Sequence, residues 1–105
     1  MQAEDQFKRL LEICAEEFGV TVEDILSPAR TSNPSLARML AMAIWSDNDT
    51  HAATARRFNR YHYTVVNARD RVRYLVEHEP WFALKASNVL EGFLGAADAM
   101  QKLHE

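Results

Sequence analysis

Six polar and aromatic side chains crowd the middle of the chain: Arg60, Tyr61, His62, Tyr63, Thr64 and, three residues on, Asn67. Imidazole catalysis is the first chemistry such a cluster suggests. No carboxylate stands beside His62 in sequence to orient it, and no Gly-rich phosphate loop or GxSxG elbow occurs in the chain. His51, His62, His78 and His104 are scattered, and one cysteine, Cys14, cannot make a structural zinc site. The same residue types suit recognition better. Asn carries the donor–acceptor pair that matches adenine in the major groove, and Arg forks onto phosphate or guanine. An exposed Tyr can stack on sugars and thymine methyls, or anchor a protein interface. The expectation is binding rather than catalysis, so not an enzyme, with no cofactor and no metal.

The elements that must position these residues are legible around them. Residues 49–76 read as a short helix, a tight turn and a longer helix. Thr50 is a good N-cap, since its hydroxyl can accept from an orphaned first-turn amide. Ala52, Ala53 and Ala55 are small enough for a second helix to approach. Asn59 tolerates left-handed backbone and is the expected turn residue. After it, Val65, Ala68, Val72, Leu75 and Val76 fall on one helical face. The opposite face carries Tyr63, Asn67, Asp70, Arg71 and Tyr74. In a helix-turn-helix the N-terminal residues of the second helix meet base edges, while the first helix crosses the backbone. Arg56 and Arg57 would then lie on the backbone side.

Charge segregates along the chain. The formal net charge is −3, yet residues 30–73 hold eight Arg against Asp47, Asp49 and Asp70, a local balance of +5. Residues 1–29 balance to −5 and residues 74–105 to −3. The positive segment is the one that contains the motif, as a nucleic-acid surface requires. A basic but merely solvated face is the competing reading.

The flanking chain reads as helical throughout. An amphipathic helix is expected from about Glu4 to Phe18, burying Phe7, Leu10, Leu11, Cys14 and Phe18, with Gly19 as its stop. Thr21 and Asp24 form a capping-box-like start to a short second helix with Val22, Ile25 and Leu26 inward. Residues 27–32, SPARTS, are a loop containing Arg30. Asn33 and Pro34 should open a third helix to about Trp45, with Leu36, Leu40, Ala43 and Ile44 inward, Met39 and Met42 filling core, and Arg38 free for a phosphate. A last and longest helix is expected from about Pro80 to Leu103, with a stripe of Trp81, Leu84, Val89, Phe93, Ala97, Met100 and Leu103. The far end of that stripe exceeds what a small core needs, so a homodimer or protein partner on the C-terminal helix is expected as a possibility beside simple core closure.

Three stretches taken in order, VEDILSPAR, LARMLAMAI and TARRFNRYHYTVVNARDRV, resemble the C-terminal DNA-binding domain of the bacterial replication initiator DnaA, of the Trp-repressor-like superfamily. The resemblance runs over about residues 7–94 and is strongest at His62-Tyr63-Thr64-Val65. It implies a minor-groove arginine at Arg30, a phosphate contact at Arg38, and base reading around His62. The pattern departs from that family at Tyr61, where an acid is usual, at Tyr63, usually Thr or Ser, and at Thr54, usually Ile; the turn reads one residue shorter. These changes imply a target other than the standard initiator site. The family's ATPase domain is not found in these 105 residues.

The expected architecture is therefore all-α. It is a single domain over 1–105 with five to six helices, a helix-turn-helix at about 50–76 and a C-terminal helix at about 80–103. The expected activity is binding of double-stranded DNA by a bacterial, cytoplasmic regulator of transcription or replication, carried by a phage or mobile element. Its expected DNA-binding residues are Arg30, Arg38, Arg56, Arg57, Arg60, Tyr61, His62, Tyr63, Thr64, Asn67 and Arg71. The alternative is a protein-interaction module on the same fold with a degenerate DNA face. No stretch has the length of a membrane span, and no secretory leader is evident.

Overall fold

Phe7 sits where the sequence's apolar stripes converge. In the computed structural model, which describes residues 3–95, its ring meets Trp45 and Phe58 edge-on at centroid distances of 5.1 and 5.3 Å. It projects from helix α1 (Ala3–Phe18), whose Phe7, Leu10, Leu11, Cys14, Ala15 and Phe18 are buried at helical spacing. Gly19 ends α1 at φ +67°, a conformation that costs glycine little. Thr21 then starts α2 (Val22–Leu26) with a complete capping box. Its hydroxyl accepts from the Asp24 amide while the Asp24 carboxylate accepts from the Thr21 amide. Ile25 is buried, but Leu26 faces outward, contrary to expectation, because five residues can turn only one narrow stripe toward α3.

Helix α3 (Ser32–Trp45) begins one residue before Asn33, with Thr31 as N-cap and Pro34 inside the first turn, where its missing N–H costs no hydrogen bond. It packs against α1, α2 and helix α5 (His62–His78), so it is covered on most sides. Ala37, Arg38, Leu40, Ala41, Met42 and Ile44 are all buried, whereas Leu36 and Ala43 are only partly so. Met42 fills core as expected. Helix α4 (His51–Arg57) packs on α5, and α6 (Pro80–Leu94) closes the domain across α1 and α5.

The phase of α6 differs from expectation. Phe82, Ala86, Val89 and Leu90 are buried, while Trp81 and Leu84 stand 47 % and 63 % exposed. The helix is apolar on nearly every side, so periodicity alone could not fix its inward face. Polar staples lock it to α1: Arg9 donates to the Gly92 carbonyl at 2.8 Å and Lys85 to the Glu17 carbonyl at 3.0 Å. Gly92 faces Ile13, with room for a Cβ in ordinary contact. The described helix ends at Leu94, with Gly95 at φ +101°, so α5 rather than α6 is the longest described helix. Ala97, Met100 and Leu103, expected on the same stripe, lie outside the described residues. Among the described residues there are six helices and no strand.

Candidate nucleic-acid interface

The turn between α4 and α5 sets the geometry of the site. Thr50 caps α4 by accepting from the Ala53 amide at 3.0 Å. The helix is closed by Phe58, whose side chain is fully buried under Phe7, and then by Asn59 at φ +55°. The reversal is held by amides donating back into α4, from Asn59 to Arg56 and from Arg60 to Ala55. Two sequence expectations, the Thr50 cap and the left-handed Asn59, are thus seen directly. Helix α5 starts at His62 with Tyr61 as N-cap, and Tyr61 makes no side-chain capping bond. The Tyr61 carbonyl accepts from the Thr64 amide at 3.0 Å, but no Tyr61 side-chain oxygen caps the first turn, which carries the positive end of a 17-residue helix dipole.

At that end the aromatic residues form one surface. Tyr61 and Tyr63 are 74 % and 57 % exposed and stack with nearly parallel rings, 6° between their planes and 5.8 Å between centroids. His62, also exposed, sets its ring edge-to-face against Tyr63. Asn67 is exposed one turn along, and Thr64 is half-buried beside it. Val65, by contrast, is fully buried, as its place on the apolar stripe requires. Val66 is partly exposed between Tyr63 and Asn67, an apolar element of this face that the sequence reading had not assigned. Its omission from the buried stripe was the available signal.

The arginines divide into two groups. Arg57, Arg69 and Arg73 have carboxylate partners: Glu4 at 3.1 Å, Asp47 at 2.8 Å and Asp70 at 3.5 Å. Arg30, Arg38, Arg56, Arg60 and Arg71 make no ion pair among the described residues. Three of the expected contacts need correction or qualification. Arg38 is not free: it is 7 % exposed, and its guanidinium donates to four carbonyls, those of Ile25 at 2.6 Å, Ser27 at 2.8 Å, Ala29 at 3.0 Å and Asp24 at 3.1 Å. Burial, and then the like charge of Arg60, hold it below its ordinary pKa. Arg57 is turned away toward α1 and lies over the Phe7 and Trp45 rings at 5.0 and 5.1 Å, besides pairing with Glu4. Arg60 is half-buried and donates to the carbonyls of Phe58 and Ser27. Arg30 and Arg56 are exposed, and Arg71 is exposed with its guanidinium 5.7 Å from the Tyr74 ring.

A cleft of about 240 Å³ lies between α3, α5 and α6, lined by residues including Leu40, Ile44, Arg69, Val72 and Leu90. None of the α5 N-terminal residues lines it. Among the described residues no three His, Cys, Asp or Glu side chains gather as a metal site, and no described helix is long and apolar enough to cross a membrane.

The family described as bacterial dnaA protein helix-turn-helix matches residues 7–72, from Phe7 in α1 to Val72 in α5. The chain belongs to that family. No match was found among curated proteins. The dnaA helix-turn-helix match covers α1 from Phe7 onward, α2 to α4 and two thirds of α5, and α6 lies beyond it. The matched residues include α4, the turn at Asn59 and the start of α5.

Proposed function

We propose that this chain binds a specific sequence of double-stranded DNA through α5 and regulates transcription or replication. The observation that carries the reading is the company kept at the N-terminus of α5. An exposed helix start without a side-chain cap presents Tyr61, His62, Tyr63 and Asn67, and Arg56 and Arg60, which have no carboxylate partner among the described residues, flank it. A helix-turn-helix docks this end of its second helix in the major groove. Asn67 there suits adenine, and the apolar rims of the tyrosines suit thymine methyls. Arg30 and Arg56 serve the phosphate backbone, and Arg71 extends the positive surface along α5. Selection from random duplex DNA tests this. Enrichment of a defined motif supports it; uniform recovery of all sequences defeats the claim of specificity, and no recovery at low salt defeats DNA binding.

A protein-contact reading is favoured by a separate observation. Tyr74, Trp81 and Leu84 are 50 %, 47 % and 63 % exposed, and Tyr74 stacks on His78 at 4.2 Å. Such aromatics anchor protein interfaces. They lie at the other end of α5 and on α6, so a protein or homodimer contact there is compatible with DNA at the α5 N-terminus.

A further inference from the structure

Two guanidinium groups from distant parts of the chain converge on one carbonyl. Arg38, in the middle of α3, donates to the Ser27 carbonyl at 2.8 Å. Arg60, from the turn before α5, donates to the same oxygen at 3.0 Å. No carboxylate pairs with either side chain among the described residues, so two like charges are held together only by backbone oxygens. Arg38 further grips the carbonyls of Asp24, Ile25 and Ala29, on both sides of Ser27. The Ser27 hydroxyl completes the knot, donating to the Asp24 carbonyl at 2.8 Å and accepting from the Ala29 amide at 3.1 Å. Burying an arginine is costly, and the cost is met here by backbone hydrogen bonds rather than by an ion pair. The result ties the segment that ends in exposed Arg30 to the residue that immediately precedes the Tyr61 cap.

We propose that Arg38 and Arg60 are positioning residues that hold the Arg30 loop at a fixed distance from the N-terminus of α5, so that both meet one DNA duplex as a rigid unit. This rests on the DNA-binding reading above. It assigns to Arg38 a role through other residues, in place of a direct phosphate contact. A loop free to swing would lose its conformational entropy on binding, whereas a clasped loop has already lost it during folding. Lysine at position 38 keeps the charge, but a single ammonium cannot span four carbonyls spread around a loop.

The test is a double-mutant cycle on a selected duplex, using Arg30→Ala, Arg38→Lys and the double variant, with Arg60→Met as a second probe at a half-buried site away from the core. Melting and hydrogen exchange are followed alongside, and affinities are corrected for the folded fraction. Arg30→Ala should weaken wild-type binding several-fold. In the Arg38→Lys and Arg60→Met backgrounds it should change affinity by less than about twofold, the limit for independent sites. The Ala29 amide should exchange faster in both variants. If Arg30→Ala costs as much in those backgrounds as in wild type, the positioning role is overturned. Unchanged affinity in Arg38→Lys with a reduced salt dependence in Arg38→Met would show a direct phosphate contact instead. Failure of the wild type to bind any duplex would overturn the DNA-binding reading itself, and the inference with it.

Discussion

Arg56 and Arg57 are neighbours on α4, yet replacing them with Ala should produce opposite phenotypes. Arg56 is exposed and has no ion pair among the described residues; Arg57 is packed over two aromatic rings and bonded to Glu4. Each phosphate neutralised contributes about 0.9 to the slope of log K against log salt. Four contacts, Arg30, Arg38, Arg56 and Arg60, would give about −3 to −4, but Arg38 and Arg60 are engaged internally, which leaves two and a slope of about −1.8. Raising salt from 50 to 200 mM should then weaken wild-type binding about 12-fold, and Arg56→Ala binding only about 3.5-fold. Arg57→Ala should keep the wild-type slope. Its loss is of stability instead: two ring contacts are worth about 0.5–1 kcal/mol each, and the pair with the largely exposed Glu4 adds little. Fluorescence anisotropy across a salt series, with thermal melts of both variants, reads both effects. An unchanged slope in Arg56→Ala, or a slope in Arg57→Ala reduced by about one unit, would refute the division of the arginines into packed and available groups.

Thr54 is fully buried, and its hydroxyl oxygen has no hydrogen-bond partner among the described residues. Thr54→Val keeps the shape and removes the unmet hydroxyl, so it should stabilise by about 1 kcal/mol and raise Tm; a lower Tm would show that the hydroxyl is satisfied in solution. Asn59 sits at φ +55°, so Asn59→Val should destabilise by about 1–2 kcal/mol while Asn59→Gly is nearly neutral, as denaturant melts would show; equal losses would argue against a left-handed turn. Burial, with a smaller contribution from Glu17, pushes the Cys14 thiol up to about 12. The folded state therefore favours the neutral thiol. Its stabilising contribution is complete below the ordinary value of 9.0 and is lost as pH rises from 9.0 to about 12. Alkylation of Cys14 at pH 8 should be slow in the native protein and fast in guanidinium chloride; rapid native labelling would contradict its burial.

The helices and the turn were legible because local rules fix them. The α1 stripe, the Thr21 capping box, the Thr50 cap and the left-handed Asn59 each depend on residues within a few positions of one another. Arg38 was misread because its partners are nine to fourteen residues away in a loop without periodicity, and because α3, flanked by α1, α2 and α5, leaves it no solvent side. The packing of Arg57 was hidden for a similar reason: its rings come from α1 and the end of α3. On α6 the failure was of phase. Trp81 and Phe82 are adjacent and both aromatic, and only the contacts with α1 and α5 decide which is buried. The reading face of α5 was found by subtraction from its buried stripe, which also explains why Val66, partly exposed, was left unassigned.

Base reading by the first turns of α5 is tested most directly by the ratio of affinities for a selected duplex and a scrambled one, measured for wild type, Tyr63→Ala and Asn67→Ala. Both side chains are exposed and outside the core, so the variants should fold and melt like wild type. The account predicts that each collapses the ratio by about 1–3 kcal/mol at the contacted base pair, with little change on the scrambled duplex. A ratio identical to wild type in both variants would contradict it and leave the face to be tested as a protein contact.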